Sequence, residues 1–223
     1  TLITFFTQVL VALASFFIYR LIAQNFGAEG LGEYSLVKKV ASFIQTNLFL
    51  GLGISLPRYF AISKNKKERV SYLKAGGFII GSLMVLFLLF SFSFKDLFSL
   101  IFFGSNNYID LISPLLLFII GLAFIAFVSS YFRGRLLMKS FNFLKIITSA
   151  FVPILIIVFF QEITIRNFII LVGVTSFLIT LLFFLRFIKD FFIETKKNEV
   201  KAAGKKLLKY GVSRFSGYFA LSG

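Results

Sequence analysis

The sequence predicts an all-α membrane protein, a bundle of six transmembrane helices. Three observations predict it. Of 223 residues, 58% are hydrophobic and only 15% charged, against about 25% charged in soluble domains. Six runs approach the roughly 20 apolar residues that a crossing needs. Lysine and arginine are confined almost wholly to alternate connections between those runs.

The runs are Leu2–Ala23, Val40–Ile62, Ala75–Phe94, Leu111–Phe132, Ile146–Phe160 and Phe168–Ile188. A seventh opens near Leu207. The first lacks a basic leader and a small-residue cleavage site, so it reads as a membrane helix and not as a signal peptide. Pro114 suits a first helical turn, whereas Pro57 and Pro153 predict kinks. Gly77 and Gly81 form a GxxxG pair, which predicts close helix approach. The apolar LFSLIFF within the connection from Lys95 to Asp110 predicts a segment lying in the membrane interface.

Orientation follows from the basic residues. The second-to-third connection holds Lys64, Lys66, Lys67, Arg69 and Lys74, and the fourth-to-fifth holds Arg133, Arg135, Lys139 and Lys145. The last runs from Arg186 to Lys209 and brings the count to seventeen, against Lys95 and Arg166 alone in the other three. The positive-inside rule places the basic connections, and with them the amino terminus, in the cytoplasm. The net charge of +15 is therefore a topology signal, and no nucleic-acid partner is expected.

Composition also narrows the chemistry. Cysteine and histidine are absent, which removes thiol nucleophiles, thiolate metal sites and the usual proton shuttle. No Gly-rich phosphate loop and no paired intramembrane carboxylates are visible, and Ser and Thr have no His to activate them. Neither catalysis nor a cofactor is expected. All nine carboxylates fall in connections.

Five basic residues fall outside the connections: Arg20, Lys38, Lys39, Arg58 and Arg214. In the first run Thr4, Gln8, Ser15 and Tyr19 share one helical face. That stripe fits either interhelical hydrogen bonds or a water-filled cavity. In the second, Ser35, Lys38, Ser42, Gln45 and Gly53 share a face, flanked by Lys39 and Thr46, with the lysines one to two turns inside a helix starting near Tyr34. Charge that deep is costly unless it snorkels or lines a polar cavity. Arg20 leaves its helix's polar stripe and suits snorkelling. Arg214 sits among Gly211, Ser213, Ser216 and Gly217, as a close-packed or pore-facing helix would have it. Lys38, Lys39, Gln45, Gln8, Arg58 and Arg214 are the candidate substrate-binding residues.

The segment RLIAQNFGAEGLGEYSL (Arg20–Leu36) resembles the signature region of Wzx-type polysaccharide flippases. GLGISLPRYFA (Gly51–Ala61) with the basic KNKKERV resembles the end of their second helix, and YFRGRLLMKSFNFLKI (Tyr131–Ile146) is similar to their fourth-to-fifth connection. Those proteins belong to the multidrug, oligosaccharidyl-lipid and polysaccharide exporter superfamily, with twelve or fourteen helices in two lobes. The resemblance implies that residues 1–206 are an amino-terminal six-helix lobe and 207–223 the truncated start of a second. The chain is expected to be a fragment whose carboxy-terminal lobe lies beyond it. The resemblance also implies a multi-pass protein of the cytoplasmic membrane. Its cargo would be an oligosaccharide or polysaccharide repeat unit on a polyprenyl diphosphate, moved by alternating access. The multidrug branch carries an amino-terminal carboxylate that binds H+ or Na+, and none is visible here. That weighs against a drug antiporter, and a multidrug or lipid II exporter of the same fold is the alternative reading. A membrane enzyme of glycan assembly would carry a large charged outer loop, which is also missing.

Overall fold

The computed structural model describes the backbone of residues 2–160 and 162–222 and side chains as far as Arg214. Five of its helices are long and apolar enough to cross a membrane: Leu2–Leu48, Lys66–Ser93, Asn106–Gly134, Met138–Phe159 and Ile165–Leu185. The chain is thus a multi-pass membrane protein, helical throughout its core.

Helix α1 (Leu2–Leu48) is folded back on itself. Gly27 takes φ 69° and ψ −171°, a conformation open essentially to glycine alone. In a straight helix Tyr19 and Lys38 would stand about 28 Å apart, yet the Lys38 ammonium lies 4.9 Å from the Tyr19 ring centre. Residues 2–26 and 28–48 are therefore two arms of a hairpin. The second arm begins at residue 28, not near Tyr34, because Glu29 and Glu33 belong to its first turns, where carboxylates complement the helix dipole. Lys38 is consequently almost three turns into its helix.

The second arm does not run unbroken to Ile62 as its apolar run suggests. Leu50 (φ 44°) and Gly51 (φ 74°) are left-handed, and a new helix, α2 (Leu52–Ile62), restarts with Pro57 inside it. Asn65 caps α3 (Lys66–Ser93), its side chain accepting from the Glu68 amide at 2.8 Å. The short α4 (Lys95–Phe103) buries Phe98 and exposes Leu97, Leu100 and Ile101. A 3-10 turn (Asn106–Leu111) leads into α5 (Ile112–Gly134), with Pro114 in its first turn. Helix α6 (Met138–Ile146), a π-turn (Ile147–Phe151) and α7 (Val152–Phe159) form one continuous rod. Pro153 has no amide hydrogen for the ordinary helical bond, and the wider π-turn just before it accommodates that loss. Helix α8 (Ile165–Leu185) is capped by Thr164, and α9 (Lys197–Ser222) starts ten residues before the apolar run at Leu207.

Helices α5 and α8 cross at Gly121 and Gly173. A Cβ on Gly121 would come within 2.6 Å of the Gly173 carbonyl oxygen, so only glycine permits that approach. The GxxxG pair does not play this part: a Cβ on Gly81 would meet nothing within 4 Å, and one on Gly77 would first meet the Phe127 and Phe191 rings, at an ordinary 3.4 Å or more.

One end of the bundle gathers Phe26, Tyr34 and Phe168, with Arg166 on Asp110 at 2.8 Å. The opposite end gathers Phe60 and Tyr131, Tyr131 bonded to Asp190, and Lys66 3.3 Å from Asp190. The three basic connections thus share one end and the three poor in lysine and arginine the other. Between them run two buried cores, one around Ile22, Leu115, Ile119 and Phe168 and one around Leu56, Leu73, Val128 and Leu144.

Candidate functional site

The lower half of the polar stripe on the first arm of α1, Thr4 and Gln8, is met by α6. Asn142 donates to Thr4 Oγ1 at 3.4 Å, and the Lys145 ammonium donates to Gln8 Oε1 at 2.8 Å. Part of the stripe therefore makes interhelical hydrogen bonds. Higher up, the helices part around a cavity of about 220 Å³, lined among others by Ser15, Tyr34, Lys38, Thr148, Ser149 and Ser176. The stripe thus makes interhelical hydrogen bonds at one depth and borders a cavity at another.

Lys38 is half-buried in this cavity wall, with its ammonium 4.9 Å from the Tyr19 ring centre and 5.6 Å from that of Tyr34. Ring faces are electronegative, so two of them stabilise a cation away from water. Lys39 is exposed, on one stripe with the exposed Ser42 and Thr46 at i, i+3 and i+7. The Thr46 hydroxyl donates to the Ser42 carbonyl, so the stripe is polar but internally bonded.

Gln45 donates through Nε2 to the Leu122 carbonyl of α5 at 2.9 Å. It also borders a second hollow of about 250 Å³, formed with Thr46, Phe49, Gly51, Gly53 and Ile54 where the helix breaks. Arg133 reaches the same break, donating to the Gly53 carbonyl at 2.7 Å. The break itself makes the hollow, because residues 49–51 leave the helical path.

Arg58 and Arg214 are far apart in sequence, and α9 brings them together on Tyr210. The Arg58 guanidinium lies 4.3 Å from the Tyr210 ring centre and donates to its hydroxyl, and that of Arg214 lies 5.6 Å from the same ring. Both arginines are exposed. Ser216 and Gly217, expected beside Arg214, lie outside the described side chains.

The six candidates thus fall into three groups. Lys38 lines the inner cavity and Gln8 lies below it, held by Lys145. Lys39 and Gln45 border the exposed stripe and the hollow. Arg58 and Arg214 form a cationic pair at Tyr210. Sequence reading missed two members, Lys145 and Tyr210. Lys145 was legible: Asn142, Lys145 and Ser149 recur at i, i+3 and i+7, a polar helical face inside what reads as a basic connection. Tyr210 gave no comparable signal, because only the tertiary fold places it beside Arg58. The carboxylates with described side chains all lie at helix ends or in connections, so the site residues at membrane depth carry positive charge alone.

No curated protein and no solved structure matches the chain. A family model described as polysaccharide biosynthesis protein matches residues 1–222, nearly the whole length, as the resemblance to the amino-terminal half of Wzx-type flippases led one to expect. The chain belongs to the polysaccharide biosynthesis protein family, as a multi-pass membrane protein of glycan synthesis and transport.

Proposed function

We propose that the chain is the amino-terminal lobe of a flippase for polyprenyl-diphosphate-linked oligosaccharides or polysaccharide repeat units in the cytoplasmic membrane. In this reading the two arms of α1 cross separately, giving six crossings with the amino terminus inside. Residues from 207 onward open a second lobe, and the lobes rock about a shared cavity. Alternating access moves the carrier between leaflets without making or breaking a bond, so no enzyme chemistry is involved.

The observation that carries the proposal is the exposed face of the second arm. Elsewhere the exposed surface of the membrane-length helices is mainly apolar: Phe5, Phe6, Leu13 and Phe16 on the first arm, Val85, Leu86 and Leu89 on α3, Leu178 and Leu182 on α8, with Gln8, Arg20 and Ser82 as scattered polar exceptions. The second arm instead exposes a continuous polar stripe of Lys39, Ser42 and Thr46 beside Phe43. Lipid has no use for such a stripe, which is costly there unless it faces protein or water. A second lobe opposite it would enclose a polar channel edged by Lys39 and Arg58, with the inner cavity of Lys38 behind.

The sign of the charge selects the cargo. A diphosphate needs cations where water is scarce, and Lys and Arg supply them through charge-assisted hydrogen bonds. A cationic drug would need carboxylates, which the described site does not offer at membrane depth. The test is purified full-length protein in proteoliposomes loaded with a polyprenyl-diphosphate oligosaccharide. Its sugar should become accessible to an impermeant oxidant added outside, at a rate well above that of protein-free vesicles. Extrusion of a cationic dye with no movement of the saccharide would replace this reading with a drug exporter.

A further inference from the structure

Helix α9 carries two stripes. Ala203, Leu207 and Gly211, spaced by four, are buried toward α2 and α3, whereas Lys197, Lys201 and Lys205, also spaced by four, are exposed. Between α9 and α3 lies a groove of about 800 Å³. Its floor is apolar, with Ala75, Phe78, Ile79, Val200 and Leu208, and its lysines are Lys74, Lys197, Lys201 and Lys205. Lys74 spends one of its three donors on the Ile193 carbonyl at 2.7 Å, which ties α3 to the segment leading into α9. Among the described residues no carboxylate lies within ion-pair distance of Lys197, Lys201 or Lys205; Glu199 turns to a separate cleft with Tyr72 and Lys206.

We propose that this groove seats an anionic phospholipid, its phosphate among the lysines and one acyl chain along Phe78, Ile79 and Leu208. The apolar floor opens directly onto the lipid-facing side of α3: Phe78 is 76% exposed, and Val85, Leu86 and Leu89 continue its surface along the helix. An occupant of such a groove comes from the bilayer. The lysines lie at the basic end of the bundle, at the level of lipid headgroups, and they require negative charge on that occupant. A water-soluble acidic protein matches the lysines but not the floor, and a zwitterionic lipid matches the floor but not four cations. Basic pockets between helices at this level are suited to anionic headgroups. The site is separate from the exposed stripe of the second arm and does not depend on the cargo proposed above.

The chain contains no tryptophan, so Phe78→Trp places an indole directly in the groove. Full-length protein with and without this substitution, reconstituted in vesicles, gives the reporter's fluorescence by difference. Phosphatidylglycerol brominated on its acyl chains should quench the indole at a mole fraction about tenfold lower than brominated phosphatidylcholine. This follows from a contribution of about fivefold per lysine at an anionic surface, reduced because the cations share one phosphate. The triple variant Lys197→Gln, Lys201→Gln, Lys205→Gln should bring the two lipids within twofold, while Lys64→Gln, Lys67→Gln, Lys139→Gln at the same end should leave the preference intact. The single exposed Lys201→Gln, which places no demand on folding, should shift it part of the way. Equal quenching by the two lipids in the parent, or a preference unchanged by either groove variant, overturns the proposal. Transport is not the readout, so a failed flippase assignment would leave this result standing.

Discussion

Gly51 and Gly211 meet backbone to backbone. A Cβ on Gly51 would run into the Gly211 carbonyl, and one on Gly211 would lie 2.5 Å from the Leu50 carbonyl oxygen. Helix α9 therefore docks on the break between α1 and α2, and the dock exists because neither residue has a side chain. Gly51 is also left-handed, at φ 74°. Gly51→Ala and Gly211→Ala should each lower the melting temperature of the detergent-solubilised protein by several degrees. Gly53→Ala, two residues away with nothing within 4 Å of the added methyl, should leave it nearly unchanged. Equal melting of all three variants would mean that α9 does not rest on the break.

The reversal at Gly27 makes a sharper comparison within one motif. Its φ of 69° with ψ −171° is closed to alanine without strain, at a cost of about 1–3 kcal/mol. Gly32 lies in the same QNFGAEGLGEY segment, in helix and with open space around it. Gly27→Ala should reduce both membrane levels and thermal stability, whereas Gly32→Ala should keep or slightly raise them, since alanine is the better helix former. The measurement is a thermal aggregation curve for each variant at matched expression.

Sidedness can be tested directly because the chain has no native cysteine. The exposed positions Ala28, Asn106 and Asn167 lie toward the end poor in lysine and arginine, and Asn65, Lys139 and Asn198 toward the basic end. Single cysteines at the first three should react with an impermeant maleimide added to intact cells, and those at the second three only after lysis. Labelling at position 65 from outside would invert the topology.

What the sequence disclosed and what it withheld follow from the range of the interactions involved. Apolar length and the partition of Lys and Arg are properties of single segments, and they survive into the structure. The start of the second arm was hidden because Glu29 and Glu33 look like a connection by composition, although a helix N-terminus welcomes them. The break at Leu50 and Gly51 lies inside an unbroken apolar run, where hydropathy is blind to backbone conformation. The α5–α8 crossing at Gly121 and Gly173 joins single glycines on different helices, so no spacing pattern marks it. The site was legible as a set of polar faces. Their partners, Lys145 for Gln8 and Tyr210 for both Arg58 and Arg214, depend on which helices become neighbours.

The two adjacent lysines of the second arm separate lining from support. Lys39 is exposed beside Ser42 and Thr46, whereas Lys38 is half-buried against the rings of Tyr19 and Tyr34. If the exposed stripe meets a diphosphate, charge at position 39 matters and its shape matters little. Lys39→Arg should then keep most of the transport, and Lys39→Gln should lose about tenfold or more, the scale of one charged hydrogen bond. At position 38 the cavity of about 220 Å³ and the two rings are fitted to an ammonium, so Lys38→Arg should fare no better than Lys38→Gln. A lysine that only snorkels to the interface would tolerate glutamine with little effect. The assay is complementation of a flippase-deficient strain by the full-length protein, with membrane levels measured for each variant. Normal transport by a well-expressed Lys38→Gln, Lys39→Gln double variant would remove both residues from the pathway. Loss of transport by Lys39→Gln with its arginine counterpart still active would instead place the diphosphate on the exposed face of the second arm.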